Sequence, residues 1–353
     1  MKAAIYKDKG KIEIIEREPP RILNKEDILL KVKCCGICGS DLHTYLGRWP
    51  QPLFPAGHEI SGEIGEIGDG VKNVKVGERV CVEPVLYCNH CIYCRLGKYH
   101  LCEKRKIIGA ELPGGFAEYL VVPSYSLHLL RDNISFEEGV LVEPLASVIH
   151  AIGFANLNFG SRVAILGGGT TGLLAVKVAK CAGASHVFVS VKYPHQAKIA
   201  SEFGADKIVV FDSLNIEEKV FSNIEDVDLV IEAVGGNAET VNFATRITRK
   251  RGKIILLGLF PEPIKIDLLR VIRKELQLIG SNIYGYSGVR RDFELAIEMI
   301  SSGKINMRKI LTHRFPLERS QEAFETALNK GTRSIKVLFF SDQNMDNRTF
   351  RTH

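Results

Sequence analysis

The sequence predicts an α/β protein in two parts, a β-rich lobe and a doubly wound parallel sheet, and three observations carry that expectation. A chain of 353 residues is long enough for two domains that each bury a core. Up to about residue 150 the chain is a series of short β-like runs broken by glycine, and from Phe159 strand-like and helix-like segments alternate. A glycine-rich turn from Gly167 to Gly172 joins the first strand of that alternation to its first helix.

The β-like runs of the first part are Ala3–Tyr6, Ile12–Ile15, Asp27–Val32, Glu59–Ile67, Arg79–Val82 and Ala117–Val122. In the second part, strands are expected at Arg162–Leu166, His186–Val191, Lys207–Phe211, Leu229–Ala233 and Lys253–Leu257. Helices are expected between them at Leu173–Cys181, Gln196–Phe203 and Ala238–Thr245, which implies parallel strands with helices on both faces. Leu276–Ile283 reads as an outer edge strand. The remaining chain reads as helix Arg291–Ser301, strand Ile310–Phe315, helix Ser320–Leu328 and strand Ser334–Phe340, rejoining the first lobe, with a frayed polar tail from Ser341.

Composition narrows the function without naming it. With 45% hydrophobic residues and unremarkable glycine content, the chain is neither disordered nor fibrous, and its nine cysteines are too few for a disulfide scaffold. A net charge of +6 is mild, and the largest basic cluster, Arg246–Lys253, is short and lacks interleaved aromatics, so nucleic acid is not expected as a partner. The amino terminus regains charge too early for a secretory signal, and the longest apolar run, Val163 to Val176, falls short of a membrane span. A cytoplasmic protein without membrane contact is expected.

Four of the nine cysteines, Cys88, Cys91, Cys94 and Cys102, fall within fifteen residues. Such a loop offers four soft ligands, enough to close a tetrahedral shell around a structural zinc. The competing readings are unrelated buried thiols or a zinc-ribbon nucleic-acid module, and the second would want a basic, self-contained domain around the loop. A second constellation is scattered: Cys38 before a helical turn carrying His43, then His58 and Glu59, then Glu143 before Pro144. Thiolate, imidazole and carboxylate together form the mixed set that catalytic zinc uses while keeping a position open. His58 and Glu59 can share one metal only if the backbone is irregular there, because neighbours on a regular strand face opposite ways. Cys34, Cys35, Cys81 and Cys181 read as small core residues.

Gly167, Gly169 and Gly172 occupy the three positions of a dinucleotide fingerprint, with Thr170 and Thr171 between them as further cofactor-binding residues, ahead of the helix on whose amino end a pyrophosphate would sit. The acidic residue that would bond the adenosine ribose of NAD is absent: Val191 stands there, followed by Lys192. That pair favours NADP over NAD; the alternative is a solvated Lys192 and NAD bound without the carboxylate.

These motifs, with Gly114-Gly115-Phe116-Ala117-Glu118-Tyr119 and Glu143-Pro144-Leu145 in their places, give a sequence that resembles the zinc-dependent medium-chain alcohol and polyol dehydrogenases over nearly its whole length. The Glu-Pro-Leu element resembles the sorbitol, threonine and butanediol dehydrogenase branch, where a carboxylate replaces a cysteine ligand. The resemblance implies a GroES-like zinc-binding lobe, residues 1–155 and 290–353, interrupted by a Rossmann domain, residues 156–289. It implies two zinc ions per chain, with Cys38, His58 and Glu59 around the catalytic one and Glu143 as a ligand or exchangeable neighbour. Ser40, His43 and Glu59 would be the catalytic side chains, Ser40 and His43 relaying a proton. The implied reaction moves hydride between a secondary alcohol in a polyol, cyclitol or related compound and NAD(P), with threonine or butanediol oxidation as the alternative substrates, in a homodimer or homotetramer. A catalytically silent zinc-binding scaffold is the reading from another class. Ile283 stands where the polyol enzymes would place an arginine, while Tyr284 is retained as a substrate contact.

Overall fold

The computed structural model describes residues 1–210, 224, 226–236 and 239–341. It divides into two compact units, Met1–Glu143 with the segment from Ile297 onward, and Pro144–Ala296. The expected tail beyond Ser341, Phe211 at the end of one expected strand, and Ala238 at the start of one expected helix lie outside the described residues.

In the first unit the apolar runs pair into a seven-stranded sheet built around Asp27–Gly36, which is antiparallel to Glu59–Ile67 on one side and to Tyr119–Pro123 and Lys336–Phe340 on the other. Leu311–Pro316 runs parallel to Lys336–Phe340, so two strands separated by most of the chain from Asp27–Gly36 complete its sheet. Ile28, Leu30, Val32, Ile60, Ile64, Val80 and Val122 turn inward to form the core. There Phe116 meets Phe339 and Phe324 edge-on, at 5.1 and 5.8 Å between ring centroids.

In the second unit six parallel strands, Arg162–Leu166, His186–Val191, Lys207–Val210, Val227–Glu232, Thr248–Leu256 and Gln277–Gly280, stand in the order 3-2-1-4-5-6 counted along the chain. Val163, Ala164, Ile165 and Leu166 are all buried, as expected of a central strand covered on both faces. The order reverses between the first and fourth strands, and ligands of such sheets bind in the crevice outside the carboxyl ends at that point.

The division falls after Glu143 and after Ala296, nearer the chain ends at both joints than the expected 155/156 and 289/290. Helix Val142–Gly153 belongs mainly to the second unit, because the ring of its His150 is held at Nδ1 by Asp292 Oδ2, 2.8 Å away and buried. Asp292 also accepts from the amide of Gly285 and the hydroxyl of Ser287, so the stretch up to Asp292 is anchored there too. Cys181 is exposed and not the core residue expected; Cys34, Cys35 and Cys81 are buried. Among the described residues no helix is long and apolar enough to cross a membrane.

Candidate metal centres and dinucleotide site

Cys88, Cys91, Cys94 and Cys102 converge, their sulfur atoms all within 4.8 Å of one another. The Cys88–Cys94 and Cys91–Cys94 Sγ separations are 3.9 and 3.5 Å. A tetrahedron with Zn–S bonds of about 2.3 Å has edges of about 3.8 Å, so the four sulfurs fit that shell. Backbone amides of Cys88, Cys91 and Lys104 donate to sulfur at 3.3 Å, which favours thiolates. Backbone donation at Cys91 draws its thiol down to about 6.

The second cluster is assembled from separate segments. Cys38 precedes helix Gly39–Tyr45, and His58 stands just ahead of strand Glu59–Ile67. Its neighbour Gly57 has φ +89°, and a side chain there would collide with the Phe116 ring and the Cys35 sulfur. This turn supplies the irregular backbone, and it leaves ligand atoms of Cys38, His58 and Glu59 within 4.8 Å of one another. Glu143 lies outside that set, inside the first turn of helix Val142–Gly153 and not at its cap.

Charge in this cluster is balanced by residues the sequence reading did not single out. Glu59, fully buried, receives Lys336 Nζ at 2.6 and 2.7 Å on its two carboxylate oxygens, and Lys336 also donates to the carbonyl of Ile37. Burial works against the Lys336 charge, but Glu59 and Cys38 raise its pKa above the ordinary value. Asp41 accepts from the amide of Cys38 at 2.8 Å and stands 4.0 Å from His58 Nδ1. Burial pushes Asp41 up to about 6 and Glu143 up to about 7. For His58 burial opposes the charge, but Cys38 and Asp41 outweigh it and raise the pKa well above the usual value. Asp41 had a visible signal, a carboxylate three residues after Cys38; Lys336 had none, being 277 residues from Glu59.

Ser40 and His43 share helix Gly39–Tyr45. Among the described residues no hydrogen bond joins them; His43 stacks on Trp49 at 5.1 Å and its Nδ1 lies 3.5 Å from Arg48 Nη1. Partial burial, and then the Arg48 charge, lower the His43 pKa. Tyr284, expected to touch substrate, is completely buried and packs edge-on against Phe293, 4.9 Å between centroids.

In the second unit Gly167 has φ +110°, and Gly172 lies so close to the Gly167 carbonyl that any side chain would overlap it. Gly169 caps helix Thr170–Cys181, and a Cβ there would meet nothing within 4 Å, leaving open the face a phosphate needs. Thr170 and Thr171 form the first turn of that helix. Val191 ends its strand fully buried. Lys192 is exposed, its Nζ 5.7 Å over the Tyr193 ring, and Gln196 Oε1 accepts from the amides of both residues.

Residues 24–132 match the alcohol dehydrogenase GroES-like domain, and residues 170–302 the zinc-binding dehydrogenase family. A D-arabitol-phosphate dehydrogenase of Enterococcus avium is 36% identical, covering 90% of each chain. The chain belongs to the zinc-dependent medium-chain dehydrogenase/reductase superfamily. Among solved structures, a zinc-binding dehydrogenase of Sinorhizobium meliloti 1021 bound to NADP has a TM-score of 0.87 at 31% identity, covering 96% of this chain and 98% of its own. An alcohol dehydrogenase of Escherichia coli CFT073 complexed with NADH has a TM-score of 0.88 at 29% identity, covering 96% and 99%. Membership makes this chain an oxidoreductase that acts with NAD(P) on an alcohol-type substrate.

Proposed function

We propose that the chain is a dehydrogenase of a secondary alcohol in a sugar alcohol or related compound, with NADP preferred over NAD. Convergence of Cys38, His58 and Glu59 is the observation that carries this reading, because these residues come from two separated segments and offer the mixed donor set of a catalytic site. A zinc ion held there would supply Lewis acidity that lowers the pKa of an alcohol hydroxyl. Cys88, Cys91, Cys94 and Cys102 would hold a second, structural zinc.

The surrounding residues have separable tasks. Asp41 orients His58, and Lys336 offsets the charge of Glu59. Glu143, the added carboxylate, would serve as an exchangeable partner of a metal held there. With its pKa lowered, His43 is neutral at pH 7 and can accept the proton that Ser40 passes on. Gly167, Gly169, Thr170, Thr171 and Gly172 would hold the cofactor, and Lys192 beside Val191 would meet a 2′-phosphate. The E. avium relative, by name an arabitol-phosphate enzyme, supports a sugar-alcohol substrate. The edge strand Gln277–Gly280, which has no pairing strand on its outer side among the described residues, supports a homodimer or homotetramer.

The test combines metal analysis with turnover. Purified protein should carry two zinc ions and reduce NADP faster than NAD, followed at 340 nm, with at least one member of a panel of polyols, polyol phosphates and vicinal diols. One zinc per chain, or no turnover across the panel, would overturn it.

A further inference from the structure

Glu232 is a fully buried carboxylate with no cation within ion-pair distance among the described residues, and no ligand set uses it. It ends the fourth strand of the parallel sheet, in register with Leu166 at the end of the first. Those two strands flank the point where the sheet order reverses. A buried anion is tolerated only where donors surround it. Here Oε1 accepts from the amides of Val234 and Gly235 at 2.9 and 3.0 Å and from Thr240 Oγ1 at 2.7 Å. The Glu232 carbonyl takes the amides of Leu257 and Gly258, both at 2.9 Å, and Gly236 donates to the Leu259 carbonyl at 2.8 Å.

One residue therefore ties together two loops at the carboxyl edge of the sheet: its side chain holds Ala233–Gly236, and its backbone carbonyl holds Leu257–Leu259. The fit is close: a side chain at Gly258 would collide with Glu232 Oε2, and one at Gly235, where φ is +65°, with the Leu259 carbonyl. The first of these loops faces the glycine turn. A Cβ on Gly167 would come 2.8 Å from Val234 Cγ2 and 3.2 Å from the Ala233 carbonyl. Glycine turn and Ala233–Gly236 are thus the two walls of the crevice that receives a dinucleotide.

We infer that Glu232 is a positioning residue for the cofactor, fixing the wall that receives its nicotinamide half. This rests on the dinucleotide reading of the crevice. The adenylate half belongs to the first two strands and Val191–Lys192, so loss of the Glu232 anchor should be felt by the whole dinucleotide and not by AMP.

Titration of the zinc-loaded protein with NADH, NADPH and AMP tests this, reading nucleotide fluorescence for the first two and competition for AMP. Glu232→Gln should raise the dissociation constant of the preferred reduced nucleotide about tenfold and leave AMP within twofold, since the three donors that meet Oε1 would then face an uncharged, weaker acceptor. Thr240→Val, which removes one donor and leaves both amides, should raise it about threefold and keeps the inference testable if Glu232→Gln does not fold. Unchanged nucleotide binding in a folded variant, or equal weakening of AMP and dinucleotide, would overturn the inference. Wild-type protein that binds none of the three would overturn the dinucleotide reading itself.

Discussion

The two candidate metal-binding clusters of the β-rich unit are built on opposite plans. Four thiols of one loop lie within fifteen residues, need only local turns, and are steadied by backbone amides. Cys38, His58 and Glu59, with Glu143 and Asp41 nearby, concentrate several acidic groups in a buried space, and a lysine from the far end of the chain offsets them. The loop can close on a metal by itself, whereas the scattered cluster exists only after the sheet has formed. Local spacing is thus sufficient for a structural shell; a reactive one also needs long-range charge balance.

Breaking each cluster separately should expose the difference. Cys38→Ser is expected to abolish the zinc binding proposed for that cluster and lower kcat by roughly a thousandfold or more, since Lewis acidity contributes several kcal/mol. Thermal stability should change little, as checked by metal analysis and a melting curve. Cys91→Ser is expected to do the reverse, losing the other zinc and lowering Tm in proportion to that loss. If both variants lost activity and stability together, the separation would fail.

Lys336→Met should be the most destabilising single change outside the ligands, by about 3–5 kcal/mol in denaturant unfolding, because it strands the Glu59 carboxylate in the interior. A change below ~1 kcal/mol would mean that Glu59 is not held as an anion by that lysine.

Acidity offers a finer test. In metal-free protein Glu143 is raised from its ordinary value near 4.5 to about 7, so folding favours its neutral form. The associated stability is fully present below pH 4.5 and is lost as pH rises through about 7, a contribution of the order of 3 kcal/mol. Unfolding of stripped protein between pH 5 and 8 should show this slope, and Glu143→Gln should flatten it. The smallest expected effect is that of Lys192→Ala, about a tenfold rise in KM for NADP with KM for NAD unchanged. Equal changes for both cofactors would argue that Lys192 is only a solvated surface residue.

Much of this was readable in the residue order. The parallel sheet followed from alternating strand and helix patterns, and the glycine turn sits where the fingerprint placed it, with Gly172 packed against Gly167. Helix Thr170–Cys181 starts three residues earlier than its apolar pattern showed, because threonines in a first turn carry no periodicity. The expected strand Leu276–Ile283 shortens to Gln277–Gly280; at Ile283 φ is +58°, which ends any extended run before Tyr284 enters the interior.

The sequence by itself determined the chemistry that recurs at fixed short spacing: the four-thiol loop, the glycine turn before a helix, and the valine and lysine where a ribose carboxylate would stand. Such features depend on turn geometry and helical period, which act over a few residues. Tertiary structure alone decided that Lys336 offsets Glu59, that His150 and Asp292 bind their segments to the second unit, and that Tyr284 is sealed away. Each depends on which distant strands and helices come into register, a property of the packed whole that no local pattern encodes.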